Sequence, residues 1–407
     1  SLDAGQHAVI LGNQAAAKQV IRTLLNTRFD DNALHEAHAV LTKRAFDWDA
    51  FLAEAATEKL MPLLYEMLAG RQLLPPMVEA TLKEAYRYHA ERNLFLIYEL
   101  GLALDRLSQA GIAAIVLKGA ALLETVYESI AVRPMLDVDI LIKKELVPQA
   151  LQILAEDGYR QDIEPHSGAA FAFENEILML KAGIEPIQLE IHWHLFDSPY
   201  YQQHLDLDWF WQQARPLAID RNKSLILGPE AQILHLCGHL ALHHSFEPSI
   251  LWLVDLAEVV SCYGDDIDWE LVMEQARASQ LVLSLQRSIN QMLAFLRPSI
   301  PSSIVRQIRS MPVDDLENRV FSMHHEPDRS VGHYVWFDFV LLPNWRQKTS
   351  FLSAKLFPSP TYLRVRYDIA SAYQIPLYYI WHWWIGLRSS LELLTNWVMM
   401  RLKKALR

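Results

Sequence analysis

Cysteine is nearly absent: only Cys237 and Cys262 occur in a chain of 407 residues. Both lie in apolar helical patterns. This excludes a disulfide-stapled secreted scaffold and suits reduced thiols in a cytosolic interior. Long hydrophobic runs are missing too. The longest, Ile375 to Leu387, is broken by His382 and followed by Arg388, well short of the roughly 20 apolar residues that cross a bilayer. The opening SLDAGQHAVILGN lacks the basic-then-apolar order of a signal peptide, so the expected location is cytoplasmic. No internal repeat, low-complexity tract, zinc-finger spacing or Ser-His-Asp order stands out. With 51% hydrophobic and 21% charged residues the chain is globular, and its length suits two or three cores.

Positive charge is also scarce, and unevenly so. The net charge is −11. Residues 343–407 carry ten Lys/Arg against two Asp/Glu, a net +8 that includes Arg346, Lys348 and Arg388. The preceding 342 residues hold 27 against 46, a net −19. An acidic body argues against an extensive nucleic-acid surface, because such binding rests on neutralising many phosphates. The basic end holds five of the twelve Trp. Either it meets an anionic partner or it closes over the acidic body.

The chemistry-bearing residues are concentrated in VLKGAALLETVYESIAVRPMLDVDILI, Val116 to Ile142. A buried strand ends in Lys118-Gly119, a helix follows, and a second strand carries Asp137 and Asp139. Positions i and i+2 of a strand share a face, roughly 6–7 Å apart, so both carboxylates point one way while Val138 and Ile140 enter a core. Oxygen ligands held that close suit Mg²⁺. A glycine turn before a helix start supplies backbone N–H groups for an anion. Further on, IQLEIHWHL (Ile187–Leu195) alternates Gln188, Glu190, His192 and His194 with Leu189, Ile191, Trp193 and Leu195, the period of a strand with one polar face. Glu190 is a third candidate carboxylate for the same metals.

This succession resembles the nucleotidyltransferase fold shared with DNA polymerase beta. More narrowly, LKGAALLETVYESIAVRPMLDVDIL, the Gly158-Tyr159 pair and LEIHWHL are similar to the bacterial uncharacterised nucleotidyltransferase family. Toxins of antitoxin-paired systems share the Lys-Gly form of the motif, where Gly-Ser is usual in the wider superfamily. The resemblance implies that Lys118 and Gly119 bind the triphosphate, that Asp137 and Asp139 hold two Mg²⁺ ions, and that Glu190 orients metal and acceptor. Arg133, four residues before the Asp137/Asp139 pair, is a secondary phosphate candidate.

The flanks read as helices: Gln14–Leu25, Leu34–Ala45, and a long run from Pro76 to Ala110 before the module, then helical patterns again from Leu207. His235, His239 and His243 recur every four residues and stack on one helix face, with His244 beside them. No Glu completes a His-Glu-x-x-His zinc motif there. Asp255 lies in an apolar setting, WLVDLAEVV, where a carboxylate needs a partner, and one of these histidines is the expected one. His192, His239, His243 and Asp255 form the candidate acceptor pocket. Tyr373 to Arg407 reads as one helix that suits a membrane surface, a second subunit, or packing on the body; packing is the expectation.

The expected fold class is α+β and mostly helical, with a small mixed-sheet nucleotidyltransferase module (112–205) between an N-terminal helical region (1–111), a helical domain (206–342) and a basic, Trp-rich C-terminal helical tail (343–407). The expected activity is Mg²⁺-dependent transfer of a nucleoside monophosphate from an NTP to a hydroxyl acceptor, with ATP as a candidate donor and pyrophosphate released. The acceptor is a small molecule, tRNA or protein. The alternatives are a non-catalytic nucleotide-binding or interaction module and a toxin-like nucleotidyltransferase acting on tRNA or protein.

Overall fold

A computed structural model describes all residues except 1, 31–32, 34, 37–38, 40–45, 163–173, 184, 220–221, 243–248, 326–330, 370 and 406–407. The helix expected over Leu34–Ala45 lies largely outside the described residues. The chain starts with α1 (Leu2–Asn26), α2 (Trp48–Thr57), α3 (Met61–Leu68) and the long α4 (Pro76–Gln109). Pro76 opens α4 where its missing N–H is not needed. Glu79 in the first turn complements the positive end of the helix dipole. Gly111, at φ +75°, supplies the left-handed turn that ends the run.

The α/β part follows as β1 (Ala114–Val116), α5 (Lys118–Thr125), β2 (Val138–Ile142), α6 (Val147–Glu156), β3 (Tyr159–Gln161), β4 (Glu176–Lys181) and β5 (Ile187–His192). After α7 (Pro199–His204) and α8 (Leu207–Gln212), the chain returns to the sheet as a hairpin of β6 (Ala214–Ile219) and β7 (Asn222–Leu227). The mixed seven-stranded sheet runs β3-β4-β5-β2-β1-β7-β6. β2 lies parallel to β5 and antiparallel to β1, and β1 lies parallel to β7. Every residue of β1 and β2 is buried, as expected for central strands covered on both faces. The sheet therefore takes in two strands that follow residue 205. The β6–β7 hairpin was hidden because Pro216 and Ala218 blur its alternation next to the helical pattern of LDWFWQ.

The helical remainder comprises α9 (Pro229–Leu242), α10 (Ile250–Tyr263), α11 (Trp269–Ala278), α12 (Val282–Phe295), α13 (Ser302–Arg309) and α14 (Asp315–His324). It ends with α15 (Val331–Leu341), α16 (Trp345–Leu356), α17 (Pro360–Arg366) and α18 (Ile375–Ala405). One buried apolar cluster runs from Val20 to Phe337 through the first three of the four expected units. Tyr362, Leu363 and Ile369 form a second, small one in the tail. The burial that stabilises the sheet is thus shared with the helices on either side. Cys237 is buried but Cys262 is exposed, and both are free thiols. Packing of the tail is one-sided: α18 packs on α15 and α17, hydrogen-bonds to carbonyls at the end of α16, and leaves Leu377, Ile380, Trp381 and Trp384 exposed.

Candidate functional site

Strand register assembles the site. Asp139 on β2 lies opposite Glu190 on β5, and Glu176 on β4 lies opposite His192. Since side chains alternate faces, these four emerge together, with Asp137 one step before β2. All five line a cleft of about 300 Å³, together with Lys118 and Gly119. Across the cleft stand Lys59 from the α2–α3 connection, His239 from α9, and Leu251 and Trp252 from α10. The His239 and Trp252 rings meet edge to face, with centroids 5.1 Å apart.

Lys118 starts α5 with φ at +45°. A non-glycine residue there is strained by about 1–2 kcal/mol, and such outliers concentrate at functional sites. The strained turn aims the ammonium inward. Its Nζ donates to Asp139 Oδ1 at 2.6 Å and lies 3.8 Å from Glu190 Oε2. His192 is enclosed by carboxylates: Nε2 is 3.0 Å from Asp139 Oδ1 and 3.4 Å from Glu190 Oε2, and Nδ1 is 3.0 Å from Glu176 Oε2. Burial disfavours charge on this ring, but the three carboxylates outweigh it and lift its pKa well above the usual histidine value. Nε2 is hydrogen-bonded to Asp139, while Nδ1, though close to Glu176, is not aligned for a hydrogen bond.

The carboxylates differ in their proton affinity. Burial opposes ionisation of Asp139, but Lys118 and His192 override it and hold Asp139 well below the usual range. At Glu190 the His192 hydrogen bond favours the ion, while burial and the Asp139 charge push the pKa up further. Asp137 is also raised, first by burial and then by Asp139. Asp139, Glu190 and His192 each offer a ligand atom, all within 4.8 Å of one another. Asp137 lines the same cleft as this group, and carboxylate oxygens are the hard donors that Mg²⁺ takes.

Arg133 also lines the cleft, with its guanidinium paired to Asp255. Its Nε lies 3.1 Å from both oxygens of the fully buried Asp255, Nη2 donates to Oδ2 at 2.9 Å, and the Tyr127 hydroxyl donates to Oδ1 at 2.7 Å. Arg133 and Tyr127 thus replace the histidine expected as the Asp255 partner, and Asp255 lies below the cleft instead of in an acceptor pocket. The buried Asn93 of α4 donates to the carbonyls of Ile130 and Arg133 at 2.6 and 2.9 Å, fixing the loop that carries the arginine. A Cβ on Gly119 would sit 2.2 Å from Arg133 Nη1. The Lys-Gly turn therefore needs its glycine for close approach.

The histidine stripe separates in the same way. His239 reaches the cleft, His235 is buried beside Phe196, and His243 and His244 lie outside the described residues. His194 is beyond the end of β5, where its Nδ1 accepts from the Phe196 N–H at 3.5 Å, and burial lowers its pKa to about 4. Glu176, Tyr127, Lys59 and Trp252 are absent from the sequence-based site. Glu176 could have been found from its place at the start of a strand next to β5. The other three carry no local signal.

No curated protein matches the chain. Among solved structures, an antigenic nucleotidyltransferase-like protein from Paracoccidioides brasiliensis is similar at a TM-score of 0.32 and 13% identity, over 52% of this chain and 96% of that one. A family model described as uncharacterised nucleotidyltransferase matches residues 44–296. That is more than half of the chain, and the chain belongs to this nucleotidyltransferase family.

Proposed function

We propose that the cleft transfers a nucleoside monophosphate from an NTP to a hydroxyl acceptor and releases pyrophosphate. The observation that carries this reading is the convergence of Asp137, Asp139 and Glu190 with the strained Lys118-Gly119 turn on one cleft wall. The three carboxylates would hold two Mg²⁺ ions. When bound, these supply electrostatic stabilisation of the transferring phosphoryl group and the leaving oxygen. Lys118, whose ammonium sits among the carboxylates, neutralises charge on the β- and γ-phosphates, and the backbone at Gly119 lets the triphosphate approach the start of α5.

In the reaction the acceptor oxygen forms a bond to the α-phosphorus as the bond to the β-bridging oxygen breaks, and pyrophosphate departs with the electron pair. The acceptor proton goes to Glu190, which is partly exposed on the cleft wall. His192, enclosed by Asp139, Glu190 and Glu176, instead positions Asp139 and Glu190. His239 and Trp252 on the opposite wall place an acceptor hydroxyl from a small molecule, tRNA or protein.

The test incubates the purified chain with Mg²⁺, NTPs labelled on the α-phosphate and cell extract, and follows label transfer and pyrophosphate together. Asp137→Ala and Asp139→Asn should each abolish both, and Asp137→Ala, at a half-buried position, should leave the melting temperature within a few degrees. Transfer at the wild-type rate in the combined variant would overturn the carboxylate assignment.

A further inference from the structure

No described residue of the C-terminal tail lines the cleft. On α18, Tyr379 donates its hydroxyl to the Pro358 carbonyl, Trp383 Nε1 donates to the Leu356 carbonyl at 2.6 Å, and the His382 ring lies 2.9 Å from both the Tyr367 hydroxyl and the Lys355 carbonyl. These contacts pin one face. On the other face stand Leu377, Ile380, Trp381, Trp384, Leu387 and Leu391, each between 52% and 67% exposed. Their spacing of three and four keeps them on one line of the helix, a stripe of about 21 Å at 1.5 Å per residue.

Charge selects what covers this stripe. The tail carries +8 and the rest of the chain −19, so a second +8 tail laid against the first would be repelled. No described helix is long and apolar enough to cross a membrane, which limits a lipid contact to the surface. Indole rings place an apolar body and a polar N–H at one boundary, which suits the membrane–water interface. Basic residues beside such a stripe are attracted to anionic headgroups, and the acidic body would be held away from them.

We propose that α18 is a membrane-surface helix that docks the protein on anionic phospholipid, with Trp381 and Trp384 entering the interface and the net positive charge of residues 343–407 adding attraction. The proposal does not depend on the chemistry of the cleft.

The full chain is tested by co-sedimentation with vesicles of phosphatidylcholine alone and of phosphatidylcholine mixed with phosphatidylglycerol. Binding to the mixed vesicles only, weakened by salt, is the expected result. Trp381→Glu combined with Trp384→Glu should lower the partition coefficient at least about tenfold with an unchanged melting temperature, since both side chains are exposed. Lys403→Gln with Lys404→Gln should lower it about 25-fold, at about fivefold per charge. Absence of binding to either vesicle, or equal and salt-insensitive binding to both, overturns the proposal. So does a wild-type dimer, seen by light scattering, that the tryptophan variant dissociates, since the stripe would then belong to a second copy.

Discussion

Gly119→Ala tests the support beneath the Lys118-Gly119 turn. The added methyl would lie 2.2 Å from Arg133 Nη1 and 3.1 Å from Met135 Cγ. A free arginine would swing aside at little cost, but this one is held at three points by the fully buried Asp255. Either the guanidinium leaves the carboxylate or α5 moves. Breaking a buried pair costs roughly 3–5 kcal/mol, and alanine recovers at most about 1 kcal/mol of helix propensity. The expected net destabilisation is therefore about 2–4 kcal/mol, a fall in melting temperature of roughly 5 °C or more. Denaturant unfolding of Gly119→Ala, Arg133→Met and the double variant measures it. With the guanidinium gone, the methyl meets no fixed group, and the Gly119→Ala penalty should shrink by about 1–3 kcal/mol. An equal penalty in both backgrounds would refute the argument.

Lys118→Ala should weaken ATP at least about tenfold and leave adenosine nearly unchanged, because the ammonium would meet only phosphates; equal losses for both ligands would reduce Lys118 to a structural role. Glu317→Gln should become more stabilising as pH rises. The Glu317 carboxylate is almost fully buried and accepts the Leu283 N–H at 2.7 Å, and burial lifts its pKa to about 7. A folded-state pKa raised above the unfolded one gives stability that is full below pH of about 4.5 and lost as pH climbs through 7, on the order of 2–3 kcal/mol. The melting-temperature gap between variant and wild type should therefore widen from pH 5 to pH 8, and a constant gap would contradict the assignment.

The cleft's carboxylates were legible because strand chemistry is local. The i, i+2 spacing of Asp137 and Asp139 and the alternation around Glu190 follow from the period of a strand, and the register Asp139 to Glu190 then brings them together. Arg133 and Asp255 were each recognisable as charges needing a partner, yet they are 122 residues apart, and nothing local pairs them. Hence Arg133 was expected at a phosphate and Asp255 beside a histidine. Tyr127, the third member, looks like any aromatic residue at a helix end. The β6–β7 hairpin was missed for another reason: β6 is a largely exposed edge strand in which Pro216 and Ala218 blur the alternation that marks a half-buried strand. In the tail, composition signalled an amphipathic helix, but which face was covered depended on the partners of Tyr379, His382 and Trp383.

These long-range contacts explain why the small module carries such large helical flanks. The sheet alone places the carboxylates, but the Lys118-Gly119 turn is shaped from outside it. Asn93 on α4 fixes the loop that bears Arg133, and Asp255 on α10 holds the guanidinium against Gly119. Helices before and after the module in sequence therefore converge on one loop, and through it on the start of α5. The same two flanks supply the far wall of the cleft through Lys59, His239 and Trp252. A module cut at its strand boundaries would keep Asp137, Asp139 and Glu190 yet lose Asp255 and that wall, leaving a buried arginine with no counter-charge. Such unpaired burial is far more costly than the paired state. The helical regions are thus part of the site's construction, and the unbroken apolar core from Val20 to Phe337 is the packing that makes this dependence mechanically rigid.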